Sequence, residues 1–174
     1  MLYDFELKFK LSSPQEDPKN FVDAIYEHVT ADILPGIGHK GSIVLLCTEE
    51  ADTALDAIQL TLDQLKQVLP DAQLVEVGPD TVGLTGIADQ VGKSRQYIHT
   101  LMKMPGAPLP QMSGNKSSTR FWHLHEVLEW FSESDKLDFE QNLLDVSLAA
   151  RRFNLAIGIQ KLPENMRDQA LELV

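Results

Sequence analysis

Five polar side chains fall at the outward positions of one short helical segment: Arg95, Gln96, His99, Thr100 and Lys103. Ser94 stands before them as a helix N-cap, and Lys93 precedes it in the turn. A guanidinium and a carboxamide can each bond a base edge at two points, while lysine, hydroxyl and imidazole groups suit phosphates or single base atoms. Lys116 and Arg120 follow in a polar stretch and would reach phosphates if that stretch lies beside the helix. The chemistry these residue types support is recognition of nucleic acid, without bond making.

Other chemistry-bearing patterns read more plainly as structure. Gly36-Ile37-Gly38-His39-Lys40-Gly41 has the glycine spacing of a dinucleotide-binding loop. A strand, Ile43 to Leu46, follows it where a phosphate-binding helix N-terminus is required, so it reads as a hairpin turn. His123 and His125 would share one side of a strand, but no third metal ligand stands at a telling spacing. Cys47 ends an apolar run and reads as a buried small hydrophobe. Glu49, Glu50 and Asp52 lack a partner base or nucleophile and read as a solvated cap. No catalytic residue, metal site or cofactor is assigned, and the chain is not expected to be an enzyme.

The overall charge opposes nucleic-acid recognition. The 174 residues carry 26 acidic and 15 basic side chains, a formal charge of −11, and DNA repels an acidic protein at long range. The charge is unevenly placed, however. Residues 1–79 hold 14 acidic and 5 basic groups, whereas between Leu84 and His125 the one acid, Asp89, faces Lys93, Arg95, Lys103, Lys116 and Arg120. A locally basic window therefore coincides with the candidate reading residues. The single cysteine excludes a disulfide framework and fits a reducing compartment. No apolar run approaches the 18 residues or so of a membrane span, and MLYDFELKFK lacks a signal-peptide layout. The expectation is a cytoplasmic protein with no membrane contact.

Hydrophobic periodicity supplies the elements that must position these residues. Tyr3, Phe5, Leu7, Phe9 and Leu11 alternate with polar neighbours as in a half-buried strand. Asp17-Pro18 predicts a helix start, with Phe21, Val22, Ile25, Tyr26 and Val29 as its apolar face. A hairpin over 33–48 follows, then a helix capped at Asp52 with Leu55, Ile58, Leu62, Leu65 and Leu69 inward, then a strand at 73–77. The order β-α-β-β-α-β is that of a ferredoxin-like domain over residues 1–79, bounded by Gly78-Pro79-Asp80.

In the middle segment Thr85 can cap a short helix that buries Ile87, Ala88 and Val91. Gly92 supplies a tight turn, and Ser94 starts a second helix with Ile98, Leu101 and Met102 inward. Tyr97 reads as packing. The proline-rich link 104–110 leads to a β-hairpin over 111–123 and a closing helix with Val127, Leu128, Trp130 and Phe131; Trp122 and Trp130 read as core. Residues 132–174 are helical, with Leu137, Leu144, Leu148, Leu155 and Ile159 on one stripe that suits either a core or a dimer seam.

The pieces GLTGIADQVGKSRQYIHTLM and RFWHLHEVLEWF, over about residues 82–131, resemble the winged helix-turn-helix of the AlpA/excisionase and MerR superfamily. The second piece is similar to the W-x-x-x-[DE]-[VIL]-x-x-W close of such domains. With residues 1–78 in front, the chain resembles proteobacterial-type DNA-binding proteins. The resemblance implies that the second helix enters the major groove of double-stranded DNA and the wing touches backbone or minor groove. Ser94, Arg95, Gln96, His99 and Thr100 would then read, and Lys103, Lys116 and Arg120 would hold phosphates. Lys93 departs from the usual apolar turn residue and either loosens the turn or adds a phosphate contact.

The expected protein is α+β: a ferredoxin-like domain (1–79), a winged helix-turn-helix (80–131) and a C-terminal helical segment (132–174). Its expected function is a transcriptional regulator, a homodimeric repressor, with a small effector or protein partner at the N-terminal domain. The alternative is an antitoxin-like or adaptor module whose acidic N-terminal domain binds a partner protein.

Overall fold

The strict alternation at the N-terminus forms β1 (Leu2–Lys10), with Tyr3, Phe5, Leu7 and Phe9 buried and their neighbours exposed, in a computed structural model that describes residues 1–111 and 120–170. Asp17 caps a 3-10 turn at Pro18–Phe21, its carboxylate accepting from the Lys19 amide at 3.0 Å, and the chain runs on into α1 (Val22–His28). Of the expected apolar face of α1, Ile25 and Val29 are buried, but Tyr26 is exposed. β2 (Asp32–Gly36) and β3 (Ser42–Glu50) make the hairpin. Gly41 in its turn has φ +76°, and an added Cβ would lie 2.7 Å from Pro14 Cα, so this position admits only glycine.

Thr53, not Asp52, caps α2 (Ala54–Val68). Its hydroxyl oxygen accepts from the Asp56 amide at 3.1 Å, because the residue three before that amide has the extended backbone a cap requires. β4 (Gln73–Gly78) completes an antiparallel sheet of order β2-β3-β1-β4. Helices cover one face only. On the other face Leu34 and Leu46, paired across β2 and β3, are exposed beside Asp4, Glu6 and Asp32.

Beyond a cis Gly78–Pro79 bond come β5 (Thr81–Val82), α3 (Leu84–Gln90) and α4 (Arg95–Leu101), then β6 (Trp122–His123), which pairs with β5, and α5 (Leu124–Glu133). These bury a second core around Ile87, Ala88, Ile98, Trp122, Leu128 and Phe131. The C-terminal part is α6 (Gln141–Gln160) and α7 (Glu164–Ala170). The protein is thus a mixed α+β structure with two cores, and α6 joins them. Val146, Ala149, Ala150 and Phe153 pack on the sheet core, whereas Leu143 and Leu144 pack on the second core.

Candidate nucleic-acid interface

Gly92 sits at φ +63° and closes the turn between α3 and α4, where an L-residue with a Cβ would be strained. The Lys93 amide then donates to the Ala88 carbonyl at 2.9 Å, which fixes the angle of departure. Ala88 and Ile87 are buried at the crossing of the two helices, and Ile98 and Leu101 seat α4 from below. Ser94 caps α4 as the sequence predicts, its Oγ accepting from the Tyr97 amide at 3.2 Å. That bond uses the hydroxyl oxygen as acceptor and does not engage its proton. Thr85, by contrast, lies inside α3; Gly83 is the N-cap there and provides no side-chain bond.

Arg95, His99 and Lys103 are spaced four residues apart and so lie along one side of α4 and its C-terminal turn. All three border a cavity of about 600 Å³, with Arg120 and Trp122 across it and Gly83 to Gly86 of α3 at its end. The cavity is therefore bordered by Arg95, His99 and Lys103 from α4 and its C-terminal turn and by Arg120 from the segment before β6. Trp122 is buried, its indole N–H donating to the Pro108 carbonyl at 3.0 Å, so the proline-rich link is tied to β6. The Gln111 amide N–H donates to the Phe121 carbonyl at 2.8 Å in an isolated antiparallel bridge; the rest of the expected hairpin, 112–119, lies outside the described residues. Gln96, Lys93 and Thr100 are exposed; the Thr100 hydroxyl donates to the Gln96 carbonyl at 3.0 Å, so its proton is committed within the helix. Lys116 lies outside the described residues.

No family, curated protein or solved structure matches the chain. The site is therefore argued from its own geometry.

Tyr97 corrects the sequence reading. It is 43% exposed on the outer side of α4, because Ile98, Leu101 and Met102 already fill the space beneath the helix. A phenol beside Arg95 and Gln96 adds a further group able to bond a phosphate or base edge. Its one-residue offset from Ile98 was the available signal, but Leu101 at i+4 points to the opposite conclusion.

The two histidines considered for a metal are used otherwise. His123 Nε2 accepts from the Gln111 side-chain amide, and its Nδ1 donates to Asp80 Oδ1 at 2.7 Å. Asn154 on α6 donates to Asp80 Oδ2 at 2.8 Å and also pairs with both backbone groups of Val77. This network ties the end of the sheet, β6 and α6 together. His125 Nε2 lies 3.3 Å from Glu129 on the next turn of α5. Among the described residues no cluster of three metal-ligating side chains occurs, and no helix is long and apolar enough to cross a membrane.

A second cleft, of about 530 Å³, runs between the bare sheet face and the β4–β5 link. Asp4, Glu6, Asp32, Glu76 and Asp80 border it together with Leu34 and Leu46. Its sign is opposite to that of the α4 cavity. Cys47 at its floor is buried, and burial, with Glu49 and Glu6 nearby, pushes its thiol up to about 12.

Proposed function

We propose that the chain is a sequence-specific DNA-binding regulator, a dimeric repressor, that reads the major groove with α4 and holds the backbone with the wing. The observation that carries this reading is the convergence of Arg95, His99 and Lys103 with Arg120 on one cavity beside an exposed Gln96 and Tyr97. Helix, glycine turn, capped helix, wing and closing helix support a winged helix-turn-helix for residues 80–131. The strand order β2-β3-β1-β4 with helical crossovers supports a ferredoxin-like fold for the first sheet.

Arg95 and Gln96 sit at the start of α4, the end that a recognition helix presents to base edges. Lys103 and Arg120 lie at the cavity margins, where the two strands of a duplex carry phosphates. Selection of bound sequences from a random duplex pool by the full-length protein tests the reading. Arg95→Ala is expected to cost ~1–3 kcal/mol on the selected site, and Lys103→Ala to weaken all sequences alike. Equal binding by both variants and wild type would overturn it.

The acidic cleft on the bare sheet face favours a second role, docking of a basic partner segment on the Leu34–Leu46 pair, as in an antitoxin-like or adaptor module. Neutralising Asp4, Glu6 and Asp32 together is then expected to release that partner without touching DNA binding.

A further inference from the structure

Arg95, His99 and Lys103, from α4 and its C-terminal turn, border one concave space of about 600 Å³ together with Arg120 from the segment before β6. Arg95, Lys103 and Arg120 are exposed, and His99 is half-buried. In a chain with 26 acidic side chains to 15 basic ones, carboxylates that could neutralise these groups are plentiful. Yet the ion pairs among the described residues all lie elsewhere, at Lys8–Glu76, Lys66–Asp63 and Arg151–Glu126 and on His123 and His125. No described carboxylate borders the cavity. Like charges gathered around one space repel, and an anion placed among them removes that cost.

The apolar lining is the second observation. Leu84 and Met102, both half-buried, border the same space beside the cations, and the buried Trp122 also lines it. A phosphate contact on the outside of a duplex has no use for such walls. The volume falls within the roughly 300–1,000 Å³ of small-molecule sites, which combine apolar walls with a few convergent polar groups.

The count of charges selects the head group. Guanidinium and ammonium groups are charged at neutral pH. A backbone phosphodiester brings one negative charge, whereas a phosphomonoester carries about −1.5 to −2 at pH 7. The terminal oxygens of a monoester also suit two guanidinium forks that approach from different elements.

We propose that this cavity binds a phosphorylated small molecule, its monoester phosphate between Arg95, Lys103 and Arg120 and its apolar body against Leu84 and Met102. The ligand occupies the groups proposed above to hold DNA, so it excludes DNA by direct competition at α4. That consequence rests on the DNA-reading proposal; the ligand site itself does not.

Isothermal titration of the full chain without DNA, with phenyl phosphate as the probe, is expected to show saturable binding of one molecule per chain. Inorganic phosphate is expected to bind about tenfold more weakly for lack of the ring. Dimethyl phosphate, a monoanionic diester, is expected to be the weakest of the three. Arg95→Ala and Arg120→Ala change exposed side chains, and each is expected to lower the affinity for phenyl phosphate about tenfold. Lys10→Ala, at an exposed cation on β1, is expected to leave it unchanged. The ring-proton resonances of His99, identified by their loss in His99→Gln, are expected to shift on titration while those of the exposed His28 and His39 stay. Absence of saturable binding would overturn the proposal, as would unchanged affinity in Arg95→Ala and Arg120→Ala. Dimethyl phosphate binding as tightly as phenyl phosphate would assign the cavity to duplex backbone and overturn it too. A chain that binds phenyl phosphate but selects no duplex upholds the ligand site and sinks the DNA reading. One that selects a duplex but ignores the probe does the reverse.

Discussion

Asp80 is only 6% exposed, and its two carboxylate oxygens accept from His123 and Asn154 while its carbonyl accepts from the Leu124 amide at 2.7 Å. One side chain thereby holds three elements that are distant in sequence. Asp80→Ala leaves the half-buried His123 imidazole N–H without its acceptor and takes one of two acceptors from the Asn154 amide, and the expected loss is about 1–3 kcal/mol in chemical denaturation. Cys47 gives a prediction in pH. Its thiol titrates at about 12 in the folded chain against 9.0 when exposed. The unfolded state therefore releases the proton first, and the stability due to the neutral buried thiol is present below pH 9.0 and lost as pH rises towards 12. The expected slope is at most about 1.4 kcal/mol per pH unit. Comparing unfolding of wild type and Cys47→Ala across that window checks it, the variant losing this contribution to the slope. Alkylation at pH 8 is expected to proceed only after unfolding.

At the scale of elements, the α3–α4 turn decides whether Arg95, His99 and Lys103 reach one cavity. Gly92 has open space around it, so Gly92→Ala introduces no clash and its cost is that of a left-handed backbone alone, about 1 kcal/mol. Ser94→Ala removes the cap and is expected to cost about 1 kcal/mol as well. The two differ in consequence. Straining the turn tilts all of α4, so if α4 reads DNA as proposed, Gly92→Ala is expected to lower DNA affinity beyond its effect on stability. Ser94→Ala is expected to fray one turn and remove one hydroxyl contact. Thermal melts beside titrations of each variant with the selected duplex distinguish them. Both the turn and the Ser94 cap are legible in the sequence, because a glycine and an N-cap act on their immediate neighbours. The caps of α2 and α3 are not. Asp52 and Thr53 are both good caps, as are Gly83 and Thr85, and the choice within each pair rests on where the preceding strand releases the chain.

For the whole molecule, the charge of −11 constrains how the proposed DNA contact can be made. The described cationic groups near the α4 cavity are few: Lys93, Arg95, Lys103 and Arg120, with His99 among them. If about three or four of them meet phosphates, log affinity against log salt is expected to fall with a slope of roughly −3 to −4 per copy. A much steeper slope, measured by fluorescence anisotropy across salt concentrations, would place extra phosphate contacts outside this cavity. The acidic residues of the sheet face line a cleft of their own, while α4 is locally basic. On the proposed reading, binding leans on base readout and on two copies acting together.

The local periods of the chain by themselves determined the strands, the helices, the glycine turn and the basic window, since each depends on residues within a few positions of one another. Tertiary structure alone decided what those periods pack against. Tyr97 became exposed because three aliphatic neighbours already filled the space under α4. The stripe from Leu137 to Ile159 was divided, Leu137 and Leu144 entering the second core and Leu155 left bare, because the bodies that α6 spans end before the helix does. Asp80, His123 and Asn154 were brought into one network by the closure of three distant segments. A pattern of burial says that a face will be covered; which surface covers it depends on contacts made across the whole chain.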